Sequence, residues 1–368
     1  MRLRSSVAAL TAATLGLTLL AAGPGKAPTD RPGPGGRPSV EEPVEPTLAP
    51  TDYIALESER SQPIYRELIR ERAHVPSWDG TELYVEIVRP DPAVYGDAVL
   101  DLPIVMEASP YHGTIADRDG TRIFPDPVDH EGTKVGLTGF FAPRGYAVAI
   151  VDLRGTGRSA GCLDHLGPND ARDLEFIVEH LAGQDWSNGR VGMTGHSYVG
   201  STPSVAAAMR PEGLVTIVPS AGLASMYDHQ FQGGVPYLLQ YVGPQVAYEV
   251  LALNRHLPPG TPSALGGETG DDFGNHPTDT GCGMKSSAAL AGSGQVTGQY
   301  ERWHAERDSR DGAAEADIPV FMIHGVNDNA ARIPAAEWFF GRRYEREGDK
   351  VWIGQWDHGS TNGRCGDV

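Results

Sequence analysis

The stretch Gly195-His196-Ser197-Tyr198-Val199-Gly200 decides the fold, because its serine stands between two different sequence patterns. An apolar run at 191–194 predicts a strand before it, and a helix is predicted to begin near Tyr198. Such a turn lifts a serine hydroxyl above a sheet edge and aims the N–H groups of the helix start at a developing oxyanion. The flanking glycines let strand and helix approach closely. Alone the motif is weak, since Gly occurs 46 times in 368 residues, and the surrounding sequence must supply its partners.

Apolar runs alternate with helical patterns on both sides of this stretch. Strands are predicted at 82–88, 103–108, 146–152, 191–194, 214–219, 319–324 and 351–356. Most are short, β-branched and continuously apolar, which is typical of parallel strands covered on both faces. Segments 168–181, with Asn169 as a candidate N-cap, and 334–345 have apolar residues at helical spacing. The alternation predicts an α/β fold with a doubly wound, mostly parallel sheet.

Two further residues complete a constellation with Ser197. Asp328 follows the predicted strand 319–324, and His358 follows the predicted strand 351–356, so both lie where sites in open α/β sheets gather. The order Ser, Asp, His is the one that α/β-hydrolases use. We predict Ser197 as nucleophile, His358 as general base and Asp328 as the carboxylate that orients it. Asp357 is the rival acid, but its side chain, adjacent in sequence to His358, should usually point away from it.

The alternation stops between about 221 and 316, where Gly, Pro, Ser and Asp become frequent. Long insertions in a compact domain are usually lids or disordered, and the aromatic residues here favour a lid over a site. We therefore predict a cap at 221–316 inserted between the two parts of the hydrolase domain, 51–220 and 317–368. Tyr227, Phe231 and Trp303 are its candidate substrate-binding residues.

The first 50 residues predict export. Arg2 and Arg4 precede an apolar run at about 7–22, which is short for a membrane span and typical of a signal peptide, here 1–23. A membrane anchor is the alternative. Residues 24–50 are rich in Pro, Gly and acidic residues and predict a solvated linker. The mature protein is expected to be secreted and free of the membrane.

Charge and cysteine content exclude some classes of function. The formal net charge of -18 opposes binding to nucleic acid and to anionic headgroups. The three cysteines, Cys162, Cys282 and Cys365, lack C-x-x-C spacing, so neither a zinc site nor a dithiol motif is indicated. One disulfide fits an exported protein, with the pair left open. We expect no metal and no cofactor, and a peptide or a small ester as the partner.

The serine motif resembles the G-x-S-Y-x-G motif of the Xaa-Pro dipeptidyl-peptidase and cocaine-esterase family of serine hydrolases, which have the α/β-hydrolase fold. Residues 151–159, VDLRGTGRS, resemble its D-x-R-G-x-G-x-S segment. The similarity covers most of 79–359. Residues 108–112, ASPYH, resemble the family's oxyanion loop, which implies that the Tyr111 hydroxyl and the N–H of Tyr198 bind the oxyanion. Asp152, Arg154 and Arg158 are expected to hold a turn.

The resemblance leaves three functions open. A dipeptidyl-peptidase must bind a free amino terminus with carboxylates, which the sequence does not single out, so an esterase or amidase on the same fold is the alternative. Family members continue past the catalytic histidine into a final helix and a jelly-roll domain, whereas this sequence ends at Val368. That departure implies a fragment or a shortened protein, and a truncated, inactive protein is the third hypothesis.

Overall fold

A computed structural model of the chain describes residues 62–112, 136–237, 298–343 and 346–358, together with Tyr248 and Cys282. Its strands are β1 Leu68–Pro76, β2 Glu82–Pro90, β3 Leu102–Ser109, β4 Ala147–Asp152, β5 Ser187–His196, β6 Leu214–Ser220, β7 Phe231–Gln232, β8 Val235–Pro236, β9 Phe321–Gly325 and β10 Lys350–Gly354. Among these residues, eight strands form one sheet in the order β1-β2-β4-β3-β5-β6-β9-β10. Neighbours from β4 to β10 are parallel, and β1, β2 and β4 pair antiparallel. The predicted mostly parallel sheet is confirmed.

Alternation along β4 shows that both faces of the sheet are covered. Ala147, Ala149 and Val151 belong to the main apolar cluster, whereas Val148 and Ile150 belong to a second one. Successive side chains of a strand point to opposite faces, so the two clusters lie on opposite sides of the sheet. Every residue of β4 is buried, which explains why its sequence is continuously apolar up to Asp152.

Helices flank the sheet. They are α1 Pro92–Tyr95, α2 Gly136–Phe141, α3 Pro168–Ala182, α4 Tyr198–Met209, α5 Met226–Gln230, α6 Arg302–Ala305, α7 Arg310–Glu315 and α8 Glu337–Arg342. Helix α4 packs against β3, β5 and β6, and both α3 and α7 pack against α4. The helix that follows the serine is therefore at the centre of the helical layer.

Two helix predictions need correction. Asn169 does not cap α3, because the N-cap is Gly167 and Pro168 takes the first position, which suits a residue without an N–H. The predicted helix 334–345 begins as a 3₁₀ turn, Ile333–Ala336, and becomes α-helical only over α8. Residues 344 and 345 lie outside the described residues.

Strand β1 was not predicted, because charged residues interrupt the apolar pattern of its sequence, LIRERAHVP. It pairs antiparallel with β2 at the sheet edge. Arg70 and Arg72 both pair with the buried Glu86 of β2, and Glu71 pairs with Arg89. Charged side chains on an edge strand also discourage pairing with another chain.

Several predictions of domain organisation fall largely outside the described residues. The predictions concerned are the signal peptide 1–23, the linker 24–50 and much of the cap 221–316. All three stay predictions. The described parts of 221–316 include α5, the β7–β8 hairpin, α6 and α7. No helix within the described ranges is long and apolar enough to cross a bilayer.

A disulfide joins Cys162 to Cys282, which are 120 residues apart. Cys162 follows the turn after β4, and Cys282 belongs to the predicted cap interval. Cys365 lies outside the described residues. The bond therefore ties the interval 221–316 to the turn at the end of β4.

Close backbone approach explains the two glycines of the serine motif. A Cβ on Gly200 would overlap the carbonyl oxygen of Ser220 at the end of β6, and one on Gly195 would overlap Val199. Substitution at either position would therefore force strand and helix apart, as the sequence predicts.

We expect Gly200→Ala to lower the free energy of unfolding by about 1–3 kcal/mol, because the methyl group has no space against the Ser220 carbonyl. Gly341→Ala in α8 is the matched control, since a Cβ there meets nothing within 4 Å. The control should be neutral or stabilising by up to ~1 kcal/mol. Urea unfolding of both variants measures the difference. Equal stability of the two variants would contradict the role given to Gly200.

Candidate active site

Ser197 lies on a sharp turn between β5 and α4, where sheet and helix meet. Its φ of 65° and ψ of -128° are uncommon for a residue with a side chain. The backbone N–H of Ser197 donates to the carbonyl of Ser220 at 2.9 Å, and the Ser197 carbonyl accepts from the N–H of Ser201 at 3.1 Å. The strained turn is thus held from both sides.

The structure brings the three predicted residues together. His358 Nε2 lies 2.7 Å from Ser197 Oγ, and His358 Nδ1 lies 2.8 Å from Asp328 Oδ2. A carboxylate accepts hydrogen bonds, so Nδ1 carries the hydrogen in this arrangement and Nε2 accepts from the serine hydroxyl. The geometry suits proton transfer from an alcohol to an imidazole.

Two backbone N–H groups hold the carboxylate of Asp328 independently of its contact with the imidazole. Its Oδ1 accepts from the backbone N–H groups of Ala330 at 2.8 Å and Ala331 at 2.7 Å, while Oδ2 faces His358. The residue is 4% exposed. The structure thus pairs His358 with Asp328, the acid that we favoured over Asp357.

Tyr111 lies above the serine, at the end of β3. Burial raises the pKa of Tyr111, and hydrogen bonds to Tyr248, to Ser197 and to the backbone of Tyr198 oppose this rise without cancelling it. The phenol therefore stays protonated at neutral pH and is able to donate. Tyr198 is the first residue of α4, and the first N–H groups of a helix have no partner within it. The predicted oxyanion residues thus both face the serine turn.

A buried ionic cluster holds the loop of Tyr111. The backbone N–H of Tyr111 donates to Ser109 Oγ at 3.0 Å. His112 Nε2 lies 2.9 Å from Glu107 Oε1, and its Nδ1 lies 3.1 Å from Asp152 Oδ1. Burial disfavours a charged His112, but hydrogen bonds and charges of the two carboxylates outweigh it and raise its pKa to about 9. The imidazolium pairs with both carboxylates and anchors the loop.

Asp152, Arg154 and Arg158 hold the turn after β4, as expected of them. Asp152 Oδ2 accepts from the backbone N–H of Arg158 at 2.7 Å. Arg154 donates from Nε and Nη2 to Asp173 of α3, both at 2.6 Å. These contacts join the turn to the sheet and to α3.

The three predicted substrate-binding aromatics lie in a cluster with Tyr300 and His304. Tyr227 and Phe231 stack with ring centroids 5.2 Å apart, and Trp303 meets His304 edge-on at 5.3 Å. Phe231 and Trp303 are buried. Their contact with a substrate stays a prediction.

Two residues near the serine had no predicted role. Tyr248 lies 3.1 Å from Tyr111, oxygen to oxygen, and its ring is 4.7 Å from that of Tyr198. Nothing marks it in sequence, because it stands where the alternation has stopped. His196 hydrogen-bonds to the carbonyl of His358 at 2.7 Å. The one feature of the sequence that points to His196 is its position next to Ser197 in the motif.

Within the described ranges, no group of three or more His, Cys, Asp or Glu side chains is arranged to hold a metal ion. The expectation of a reaction without metal or cofactor stays a prediction.

Known proteins share both the sequence pattern and the fold. A sequence model of the X-Pro dipeptidyl-peptidase (S15) family matches residues 79–360. The chain is 27% identical over 355 residues to a putative Xaa-Pro dipeptidyl-peptidase of Bacillus anthracis, covering 87% of this chain and 54% of the relative. One of Streptomyces avermitilis is 28% identical over 303 residues, covering 74% and 39%. The chain spans about half the length of the first of these relatives, and less of the second.

Solved structures agree on the fold. A CocE/NonD family hydrolase from Staphylococcus aureus aligns with a TM-score of 0.56 at 21% identity, covering 78% of this chain and 46% of that one. An aminopeptidase from a marine sediment archaeon, a thaumarchaeote, aligns with a TM-score of 0.53 at 17% identity, covering 82% and 50%. Since the family match extends over more than half of the chain, this chain with the α/β-hydrolase fold belongs to the X-Pro dipeptidyl-peptidase (S15) family.

Proposed function

We propose that the chain hydrolyses the peptide bond that follows an Xaa-Pro dipeptide, through an acyl-enzyme on Ser197. The observation that carries the serine mechanism is the hydrogen-bonded line from Ser197 Oγ through His358 to Asp328, with contacts of 2.7 and 2.8 Å. The names of the curated relatives, putative Xaa-Pro dipeptidyl-peptidases, support a peptide substrate.

In the proposed first half-reaction, Ser197 Oγ attacks the carbonyl carbon as His358 Nε2 takes its proton. The tetrahedral intermediate then collapses, the C–N bond breaks, and Nε2–H gives its proton to the leaving amine. Water repeats the sequence on the acyl-enzyme and releases the acid. Asp328 stabilises the imidazolium at each stage, because its carboxylate lies 2.8 Å from Nδ1.

The oxyanion is proposed to bind between the Tyr111 hydroxyl and the backbone N–H of Tyr198. Both belong to rigid surroundings, since His112 is bonded to two buried carboxylates and Tyr198 opens α4. Both donors already lie beside Ser197, and they exchange their present contact with each other for the oxyanion as charge develops.

Replacing Asp328 tests whether it, and not Asp357, is the carboxylate that orients His358. We expect Asp328→Asn to lower kcat by about 10³- to 10⁴-fold, because the amide no longer fixes the tautomer of His358. The measurement is hydrolysis of an Ala-Pro chromogenic amide together with the rate of labelling by a fluorophosphonate.

Asp357→Asn is the matched control and should keep both rates close to those of the parent, while Ser197→Ala should not label. A parent chain that the fluorophosphonate leaves unlabelled would support the inactive alternative and exclude the proposed mechanism.

Removing the Tyr111 hydroxyl should weaken binding of the transition state. We expect Tyr111→Phe to lower kcat by about 10²- to 10³-fold with little change in KM, since the lost donor faces an oxyanion that the substrate lacks. Steady-state kinetics on the same substrate measures this. Tyr95→Phe, whose hydroxyl bonds to Glu67, is the control. An unchanged kcat in Tyr111→Phe would remove Tyr111 from the mechanism.

A substrate panel decides between peptidase and esterase. We expect cleavage of Gly-Pro and Ala-Pro amides at more than about ten times the kcat/KM of their N-acetylated forms, because loss of the charged amine removes an ion pair worth over 1 kcal/mol. Simple aryl esters complete the panel, with Ser197→Ala as the blank. Activity confined to the esters would replace the peptidase by an esterase.

A further inference from the structure

His196 connects the catalytic histidine to the sheet. His196 Nε2 lies 2.7 Å from the backbone carbonyl oxygen of His358, and His196 Nδ1 lies 3.1 Å from Ser220 Oγ. The His196 and His358 rings also face each other with centroids 4.8 Å apart, inclined at 42°. The contact to His358 is made to the backbone, so it leaves both ring nitrogens of His358 available for Ser197 and Asp328.

The hydrogen-bond roles follow from the partners. A carbonyl oxygen accepts only, so Nε2 of His196 must carry the hydrogen. Burial, reinforced by the charge of His358, lowers the pKa of His196 to about 4, so the ring is neutral at pH 7 and Nδ1 is an acceptor. The Ser220 hydroxyl therefore donates to Nδ1. The titratable groups that face His196 are His358, Asp328 and His324.

Ser220 is linked by hydrogen bonds both to the nucleophile Ser197 and, through His196, to the base His358. Its carbonyl accepts from the N–H of Ser197 at 2.9 Å, and its hydroxyl reaches His358 through His196. Its position at the end of β6 is itself fixed, because the next N–H, of Ala221, donates to Ile323 of β9 at 2.9 Å. Hydrogen bonds from Ser220 thus support both Ser197 Oγ and His358 Nε2, which lie 2.7 Å apart.

On the basis of the function proposed above, we propose that His196 is a positioning residue that holds the His358 imidazole against Ser197 through the His358 carbonyl. As a neutral donor it adds no positive charge beside the imidazolium that forms on His358. An arginine or lysine would reach the same carbonyl but would oppose that charge.

The test compares His196→Leu, which removes the donor, with His196→Gln, whose side-chain amide keeps an N–H. We expect His196→Leu to lower kcat by about 10- to 100-fold, because small displacements of a catalytic group have effects of this size. KM should stay within about threefold. His196→Gln should recover most of the loss. His180→Leu on α3 is the control for loss of a histidine outside the site.

The pH profile separates positioning from a general loss of structure. An imidazole that is no longer held against Ser197 and Asp328 should shift the acid limb of kcat/KM in His196→Leu, whereas a loss of folded protein would leave that limb in place. Rates are expressed per active site, counted by fluorophosphonate labelling, so unfolded protein does not contribute. An unchanged kcat per site with an unchanged acid limb would overturn the inference.

Ser220→Ala keeps the test decisive if His196→Leu does not fold. It removes the donor to Nδ1 and leaves Nε2 in place, so we expect a smaller loss of kcat, about two- to tenfold, with the same direction of shift in the acid limb. A parental rate and profile in Ser220→Ala would also overturn the inference. A parent chain that neither labels nor hydrolyses defeats the proposed function itself, whereas a reactive parent with equally reactive variants defeats the role of His196 alone.

Discussion

The backbone conformation of Ser197 is the constraint on which the site depends. A non-glycine residue at φ 65° is strained by about 1–3 kcal/mol, and the surrounding structure has to hold it there. That support comes from the bond between Ser197 N–H and the Ser220 carbonyl and from α4, which lies so close to β6 that Gly200 has no room for a Cβ. The glycines, the helix and the end of β6 therefore act together to present one hydroxyl.

The histidines around this turn show how carboxylates decide the charge of a buried ring. His112 lies between Glu107 and Asp152, and its pKa rises to about 9 in spite of burial. His229 is buried and His196 is partly buried, and there burial prevails and lowers the pKa of each to about 4. The cationic ring of His112 stabilises a loop. The rings of His196 and His229 are neutral, and His358 is the histidine placed to take the proton of Ser197.

Local sequence predicts the parts of the fold that depend on local patterns. Short β-branched runs gave β2 to β6, β9 and β10 to within a few residues, and the order Ser197, Asp328, His358 identified side chains that the structure brings together. Contacts between distant segments left no such pattern. Ion pairs join β1 to β2 across the strands, and Tyr248 reaches Tyr111 from a segment without periodicity. The Cys162–Cys282 pair joins positions 120 residues apart, and three cysteines allow more than one pairing.

The pairing of Asp328 with His358 follows from two adjacent parallel strands. β9 and β10 run side by side, so the loops after them leave the same edge of the sheet. Backbone bonds from Val326 to Gly354 at 2.8 Å and from Asn327 to Trp356 at 3.2 Å join these loops. Trp356 lies against Gly325 and Gly354, where any Cβ would overlap it. Because the ends of both strands lack side chains, the loop of His358 lies close enough to bring its imidazole to the acid of the neighbouring loop. The hydrogen bond from His196 to the His358 carbonyl further restricts the backbone of this loop.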